Sequence, residues 1–137
     1  MDNKANIVMD NIIHIVIFAI FFSIMFWGIS SYSDGSALLE DLYAKEIARV
    51  INTAEPGMSF KIDISKIAVI AFNNGKAFSD IIDIDNINNE IRVSSRLTSG
   101  TAYKFFNDVD VVNWEVVPVS DNAEGTRFVF EVREKQK

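Results

Sequence analysis

Three features of the sequence predict an α+β protein: an apolar run from Ile12 to Ile29, a helical period from Ala37 to Ala54, and a change to period two from Ser59 onward. The expected architecture is an N-terminal flank (1–11), a transmembrane helix (12–32), a linker (33–36) and a domain (37–137). In that domain an amphipathic helix precedes an antiparallel β-sheet of six to seven strands. The sheet is either covered by the helix or folded on itself as a sandwich.

The apolar run is about eighteen residues long, broken only by His14, Ser23 and Gly28, which is enough helix to cross a hydrocarbon core of roughly 30 Å. Ile12, Ile15, Phe18, Phe22, Phe26 and Ile29 supply the lipid-facing surface. Trp27 and Tyr32 stand where an aromatic belt meets headgroups. A cleaved secretory signal is the competing reading, with Ser31 and Ser33 ahead of a cut before Asp34. The run exceeds the length of a signal core, and Asp2 and Asp10 offset Lys4, so a retained anchor is expected. Lys4 and the α-amine favour an inside N-terminus, with the remaining chain extracytoplasmic. His14 is a candidate intramembrane proton relay, set against a neutral imidazole that reaches interfacial water two residues into the span.

Ser30 to Ser36 reads as a break. Beyond it Leu39, Leu42, Tyr43, Ile47, Val50, Ile51 and Ala54 form one helical face, with Glu40, Lys45, Glu46 and Arg49 opposite. Glu55-Pro56-Gly57 ends that helix. Phe60, Ile62 and Ile64 alternate with polar residues as a strand. Lys66 to Phe72 is apolar on both faces apart from its first residue, as in a central strand. Asn73-Asn74-Gly75-Lys76 has the Asn-Gly signal of a type I′ hairpin, returning along 77–85. Asn86 to Asn89 is a turn, and strands follow at 90–97, 101–106, 109–119 and 126–133. Val112, Trp114 and Val116 share one side of the 109–119 strand, and Phe128, Phe130 and Val132 face inward. Pro118 marks an edge or an end.

The chemistry is sparse. A formal charge of −6 without a basic stripe argues against nucleic acid as partner, and the absence of cysteine removes disulfides, thiolate metal sites and a Cys nucleophile. The one histidine lies in the apolar run, away from any candidate nucleophile. Asp80, Asp83, Asp85, Asn86, Asn88, Asn89 and Glu90 are oxygen ligands in sequence. An EF-hand fails on Ile87 at a ligand position and Asn88 at the turn glycine, leaving a wet strand face and a polar turn. Asp108 and Asp110 read as a solvated turn rather than an acid/base pair. No catalytic residue, metal ligand, cofactor or small-molecule substrate is expected. Phe105, Phe106 and Trp114 are the candidate interaction patch, weighed against simple core filling.

The stretch from Leu42 to Asn52 with Pro56-Gly57, together with Tyr103-Lys104-Phe105-Phe106-Asn107-Asp108, resembles a family of small single-pass membrane proteins of unknown function from archaeal genomes. That resemblance implies a membrane-anchored envelope component and brings no catalytic residue. The N-terminus is also similar to type IV pilin-like subunits, with Lys4-Ala5 before Asn6 as a processing site and Asp10 at the fifth mature position. It differs in having Asp for Glu and an apolar run that begins only after Asn11. The expected function is a non-catalytic, membrane-anchored structural or assembly subunit of a cell-envelope complex, pilus-like or secretion-type. It would contact lipid, itself and other membrane proteins through its β domain. A pilin-like filament subunit and a virion membrane protein are the alternatives.

Overall fold

Nothing between Asn3 and Asn11 breaks a helix, and the polar flank continues the apolar run as one element: α1 spans Asn3–Tyr32. The expected separate flank is therefore the first turns of that helix. The computed structural model describes residues 3–32 and 35–136, with side chains from 8 to 29 and from 35 onward, so the Tyr32 ring and linker residues 33 and 34 lie outside the described residues. The chain divides into two compact units, 1–35 and 36–137. Gly35, at φ +60°, takes a conformation that side chains disfavour, immediately before the second unit begins.

In that unit the order is α2 (Ser36–Thr53), β1 (Ser59–Asp63), α3 (Ser65–Asn73), a 3-10 turn (Phe78–Asp80), β2 (Ile82–Asp85), β3 (Glu90–Val93), β4 (Thr101–Lys104), β5 (Val109–Val117) and β6 (Arg127–Glu134). The protein is α+β as the sequence predicts. Its six strands form two three-stranded antiparallel sheets, β1-β6-β5 and β2-β3-β4, rather than one. Phe60 pairs with Phe130 across β1 and β6, their rings stacked at 5.3 Å, and Phe128 and Phe130 are buried as expected. The Asn86 side-chain amide joins the sheets: it donates to the Val111 carbonyl and accepts from the Val111 N–H, both at 2.9 Å. One side chain thus occupies the free edge of β5.

The expected central strand at Lys66–Phe72 is instead α3. A short apolar run has no period that separates a buried strand from a buried helix. Here the buried positions are Ile67, Ala68 and Ala71, one face of a helix. The Asp63 carboxylate accepts from the Ser65 N–H and hydroxyl at its start. At its end the Lys76 N–H reaches the Ala71 carbonyl and the Gly75 N–H the Phe72 carbonyl, each at 2.9 Å, with Gly75 at φ +73°. That is a Schellman cap. Asn-Gly signals a positive φ, and a helix end satisfies it as well as a hairpin does.

β5 carries a bulge between Val112 and Glu115, with Asn113 at φ +52°. The extra residue changes the parity of the strand. Val109 and Val111 are buried before it and Val116 after it, while Val112 and Trp114 are half-buried. The expected Val112–Trp114–Val116 face is broken for this reason.

α2 also inverts two expectations. Leu42, placed inward by its period, is 52% exposed, and Glu40, placed outward, is 0% exposed. The inward face is Ala44, Ile47, Ala48 and Ile51, and Glu40 continues it by one turn. There the carboxylate accepts from the Ser95 N–H and Oγ at 2.8 Å, the Arg96 guanidinium at 2.9 Å and Thr101 Oγ1 at 3.3 Å. Among the described residues no buried polar side-chain atom lacks a partner. Burial pushes the Glu40 carboxyl up, but the hydrogen bonds from Arg96 and Ser95 and the Arg96 charge outweigh it and hold the group below its ordinary value.

A carboxyl with a lowered folded pKa contributes stability that is present above its unfolded value, near 4.5, and is lost as pH falls through the folded value. Urea unfolding across pH should therefore show stability declining below about 4.5 with a component that Glu40→Gln removes. At pH 7, Glu40→Ala should cost about 2–4 kcal/mol by leaving the Ser95 N–H without its acceptor.

Candidate membrane span and docking surfaces

Within α1 the 22 residues Val8–Ile29 have a mean hydropathy of 2.5, and none is buried. At about 1.5 Å per residue they extend roughly 33 Å. Ile12, Ile15, Phe18, Phe22, Phe26, Trp27 and Ile29 are all exposed, and the apolar surface runs around the whole helix rather than along one stripe. Two of its polar side chains bond the helix's own backbone. The His14 Nδ1–H donates to the Asp10 carbonyl at 2.6 Å, and the Ser23 hydroxyl to the Ala19 carbonyl at 2.7 Å. A helix whose polar groups are satisfied within itself suits a hydrocarbon surround. In length and composition α1 is consistent with a single membrane span or a signal sequence.

The three aromatic residues of the expected patch are not brought together. Phe105 is 1% exposed and belongs to the core, and Trp114 is half-buried in the β5 bulge with its ring 6.5 Å from that of Phe128. Only Phe106 is presented, at 83% exposure. Its neighbours fix it: the Phe106 N–H donates to Asn52 Oδ1 at 2.6 Å and the Asn107 N–H to the same oxygen at 3.2 Å. Asn107 Nδ2 donates to the Ile51 and Ala54 carbonyls, both at 2.8 Å. The loop after β4 thereby caps α2, whose last carbonyls lack intrahelical donors.

Beside it stands a residue that sequence reasoning missed. Ile87, at the β2–β3 turn, is 90% exposed. Asp85 accepts from the Ile87 N–H (2.9 Å), the Asn88 N–H (3.0 Å) and Asn88 Nδ2 (2.6 Å), which tightens the turn. Those bonds lower the pKa of Asp85, the Asn88 N–H contributing most. The Phe105 N–H donates to the Asn89 carbonyl at 2.9 Å, so the turn bearing Ile87 and the loop bearing Phe106 are bonded neighbours. The signal was a lone apolar residue in Asp85-Asn86-Ile87-Asn88-Asn89.

Of the oxygen groups weighed for calcium, Asp85 closes the turn, Glu90 pairs with Arg92 at 3.4 Å, Asn86 bridges the sheets, Asp80 accepts from the Ser79 hydroxyl and Asp83 is exposed. Among the described residues no group of three His, Cys, Asp or Glu side chains converges on a metal position. Asp110 accepts from the Gln136 N–H, and Asp108 is exposed beside Asn107.

A groove of about 530 Å³ runs along α2. Leu39, Leu42 and Tyr43 give it an apolar floor, Lys45, Arg49 and Lys66 a cationic rim, and Glu46 and Asp63 also line it. Burial, then Asp63 and Glu46, raise the Tyr43 pKa, so its phenol keeps its proton. Lys45 bonds Asp41 at 2.7 Å and lies 5.9 Å from the Tyr103 ring centroid. With these features described, no protein-family model, curated protein or solved structure matches the chain.

Substitutions should separate the scaffold of this tip from its display. Phe106→Ser should leave unfolding free energy within about 0.5 kcal/mol of the parent, Asn107→Ala should lose about 1–2 kcal/mol, and Phe105→Ala about 3–5 kcal/mol. Thermal or urea unfolding of the three variants checks the order.

Proposed function

We propose that this protein is a non-catalytic assembly subunit held in a membrane by α1, with its acidic domain on the extracytoplasmic side, where it docks with copies of itself or with other envelope proteins. The observation that carries the reading is the fully exposed, all-round apolar surface of Val8–Ile29. Water would oppose that surface, and lipid would not. Ile87 and Phe106 support a docking role, because hydrogen bonds hold the backbone at both positions while their exposed side chains offer apolar contact area. The resemblance to small single-pass archaeal membrane proteins agrees with this placement, and no substrate or cofactor enters it.

A second reading, a filament subunit processed before Asn6, is favoured by one observation: α1 is helical without interruption through Asn6 and Asp10.

Membrane fractionation tests the anchor. The native protein should pellet with membranes and require detergent for release. Phe18→Arg combined with Ile20→Arg should shift it to the soluble fraction, since each charge near the centre of the span costs about 2.5–3.5 kcal/mol. Recovery of the parent chain in the supernatant without detergent would overturn the reading. The intact mass decides the form: a chain retaining its first residues supports the anchor, a start at Asn6 supports the filament reading, and a start at Asp34 shows a cleaved signal. Protease added outside intact cells should remove the domain.

A further inference from the structure

We propose that one end of the domain, marked by Leu38 and Leu97, seats in the lipid interface of the bilayer that holds α1. This contact presupposes the anchoring reading and adds a second, shallower hold on the same membrane.

Hydrogen bonds fix which residues share that end. Glu40, in the first turns of α2, accepts from Ser95, Arg96 and Thr101, whereas Asn52, in its last turn, accepts from the Phe106 and Asn107 N–H groups. α2 and β4 therefore run in the same sense. From Glu40 to Asn52 the helix rises roughly 18 Å, and from Thr101 to Phe106 extended chain covers roughly 17 Å, so the two lengths agree. The β3–β4 loop stands at the start of α2, and the Ile87 turn and Phe106 stand at its end. At the start Leu38 is 65% exposed and Leu97 is 68% exposed, and Leu42 follows Leu38 by one turn on the same side of the helix. The charges beside them pair with one another, Asp41 with Lys45 at 2.7 Å and Glu40 with Arg96 at 2.9 Å.

Chain length selects lipid as what covers these leucines. Val8–Ile29 extends roughly 33 Å, so a span that fills the hydrocarbon core of roughly 30 Å leaves the last turn of α1 in the headgroup layer. Three residues separate Tyr32 from Ser36, and fully extended chain covers at most about 3.6 Å per residue. The start of α2 thus stays within roughly 14 Å of that layer, whichever way the link runs. A copy or another protein must diffuse to this surface, while lipid is beside it throughout, at an effective concentration set by the link. Leucines that leave water for the boundary of headgroups and acyl chains lose unfavourable hydration, and no unpaired charge has to follow them. For Ile87 and Phe106 the limit is longer by the length of α2, which leaves them to the docking role proposed above.

The test uses the full-length protein in phosphatidylcholine nanodiscs. The chain has no cysteine, so Thr98→Cys, beside Leu97, and Ile87→Cys, at the opposite end, each carry a single spin label. Collisions with oxygen, which concentrates in lipid, and with a water-soluble nickel complex report the surroundings. The Thr98→Cys label should collide with oxygen and lose its collisions with nickel, and the Ile87→Cys label should do the reverse. Leu38→Asp with Leu97→Asp, added to Thr98→Cys, should lower the lipid-seated fraction at least about tenfold. Nickel collisions should then return to the level of the Ile87→Cys label, with circular dichroism matching the parent. The comparison of the two labels stands without this variant should it fail to fold. A Thr98→Cys label as open to nickel as the Ile87→Cys label, one shielded from both reagents and so covered by protein, or one unmoved by the two aspartates in a folded chain would overturn the proposal. Both labels in lipid would show α2 lying flat and overturn it equally. Any of these results in a chain that pellets with membranes removes the lipid seat and leaves the anchor standing. Recovery in the supernatant without detergent removes the anchoring reading itself.

Discussion

The domain depends on α2 being tied at both ends by side-chain hydrogen bonds. At its first turns the buried Glu40 carboxylate gathers Ser95, Arg96 and Thr101; at its last, Asn52 and Asn107 exchange bonds between the helix and the loop after β4. Between these ties α2 packs on β3 and β4 through Ala44, Ile47, Ala48 and Ile51. Small and branched residues bring helix and sheet close, and the polar ties set the helix's position along the sheet. The two ends of the domain follow from that placement: the β3–β4 loop stands at the start of α2, and the loop after β4 caps its end.

The buried carboxylate is a specifying device more than a source of stability. Desolvating a charge opposes folding, and the hydrogen bonds offset that opposition only when all are made. A slipped helix would bury Glu40 without its donors, a state several kcal/mol less favourable than the observed one. Arg96 is partly exposed, so its charge stays partly hydrated while its guanidinium bonds the buried carboxylate. The rigid Ser95 N–H and hydroxyl, at 2.8 Å, carry the geometric information. In α1, His14 and Ser23 bond backbone carbonyls four residues earlier and need no tertiary partner.

What was legible in the sequence was whatever has a single physical solution. A mainly apolar run of eighteen residues has few outlets besides a helix in lipid or a signal core, and the alternation of Phe128, Phe130 and Val132 has only one inward face. The misreadings share a cause: a local signal that two structures satisfy equally. Lys66–Phe72 is apolar enough for a buried strand or a buried helix. Asn74-Gly75 supplies positive φ to a hairpin or a Schellman cap. One bulge at Asn113 flips every later residue of β5, and no local feature announces it. Glu40 could not be placed inside from α2 alone, because its partners lie more than fifty residues away. Phe105 and Phe106 are chemically identical neighbours, and only the register of β4 decides which one the core receives.

A contact made by a few apolar side chains is weak between molecules free in solution, where association must overcome lost translational and rotational freedom. Net charge works in the same direction, since copies at −6 repel one another before their surfaces meet. With α1 in lipid, both terms change. Anchored copies share a plane and a common up and down, so much of the orientational freedom is already gone and the local concentration is set by the membrane rather than the volume. Repulsion between exposed charges fades beyond about 8 Å at physiological ionic strength, leaving apolar surface to act at contact range. On the proposed reading a small contact surface is then sufficient, and an anchor joined to a lightly apolar domain would make association conditional on the membrane that brings the copies together.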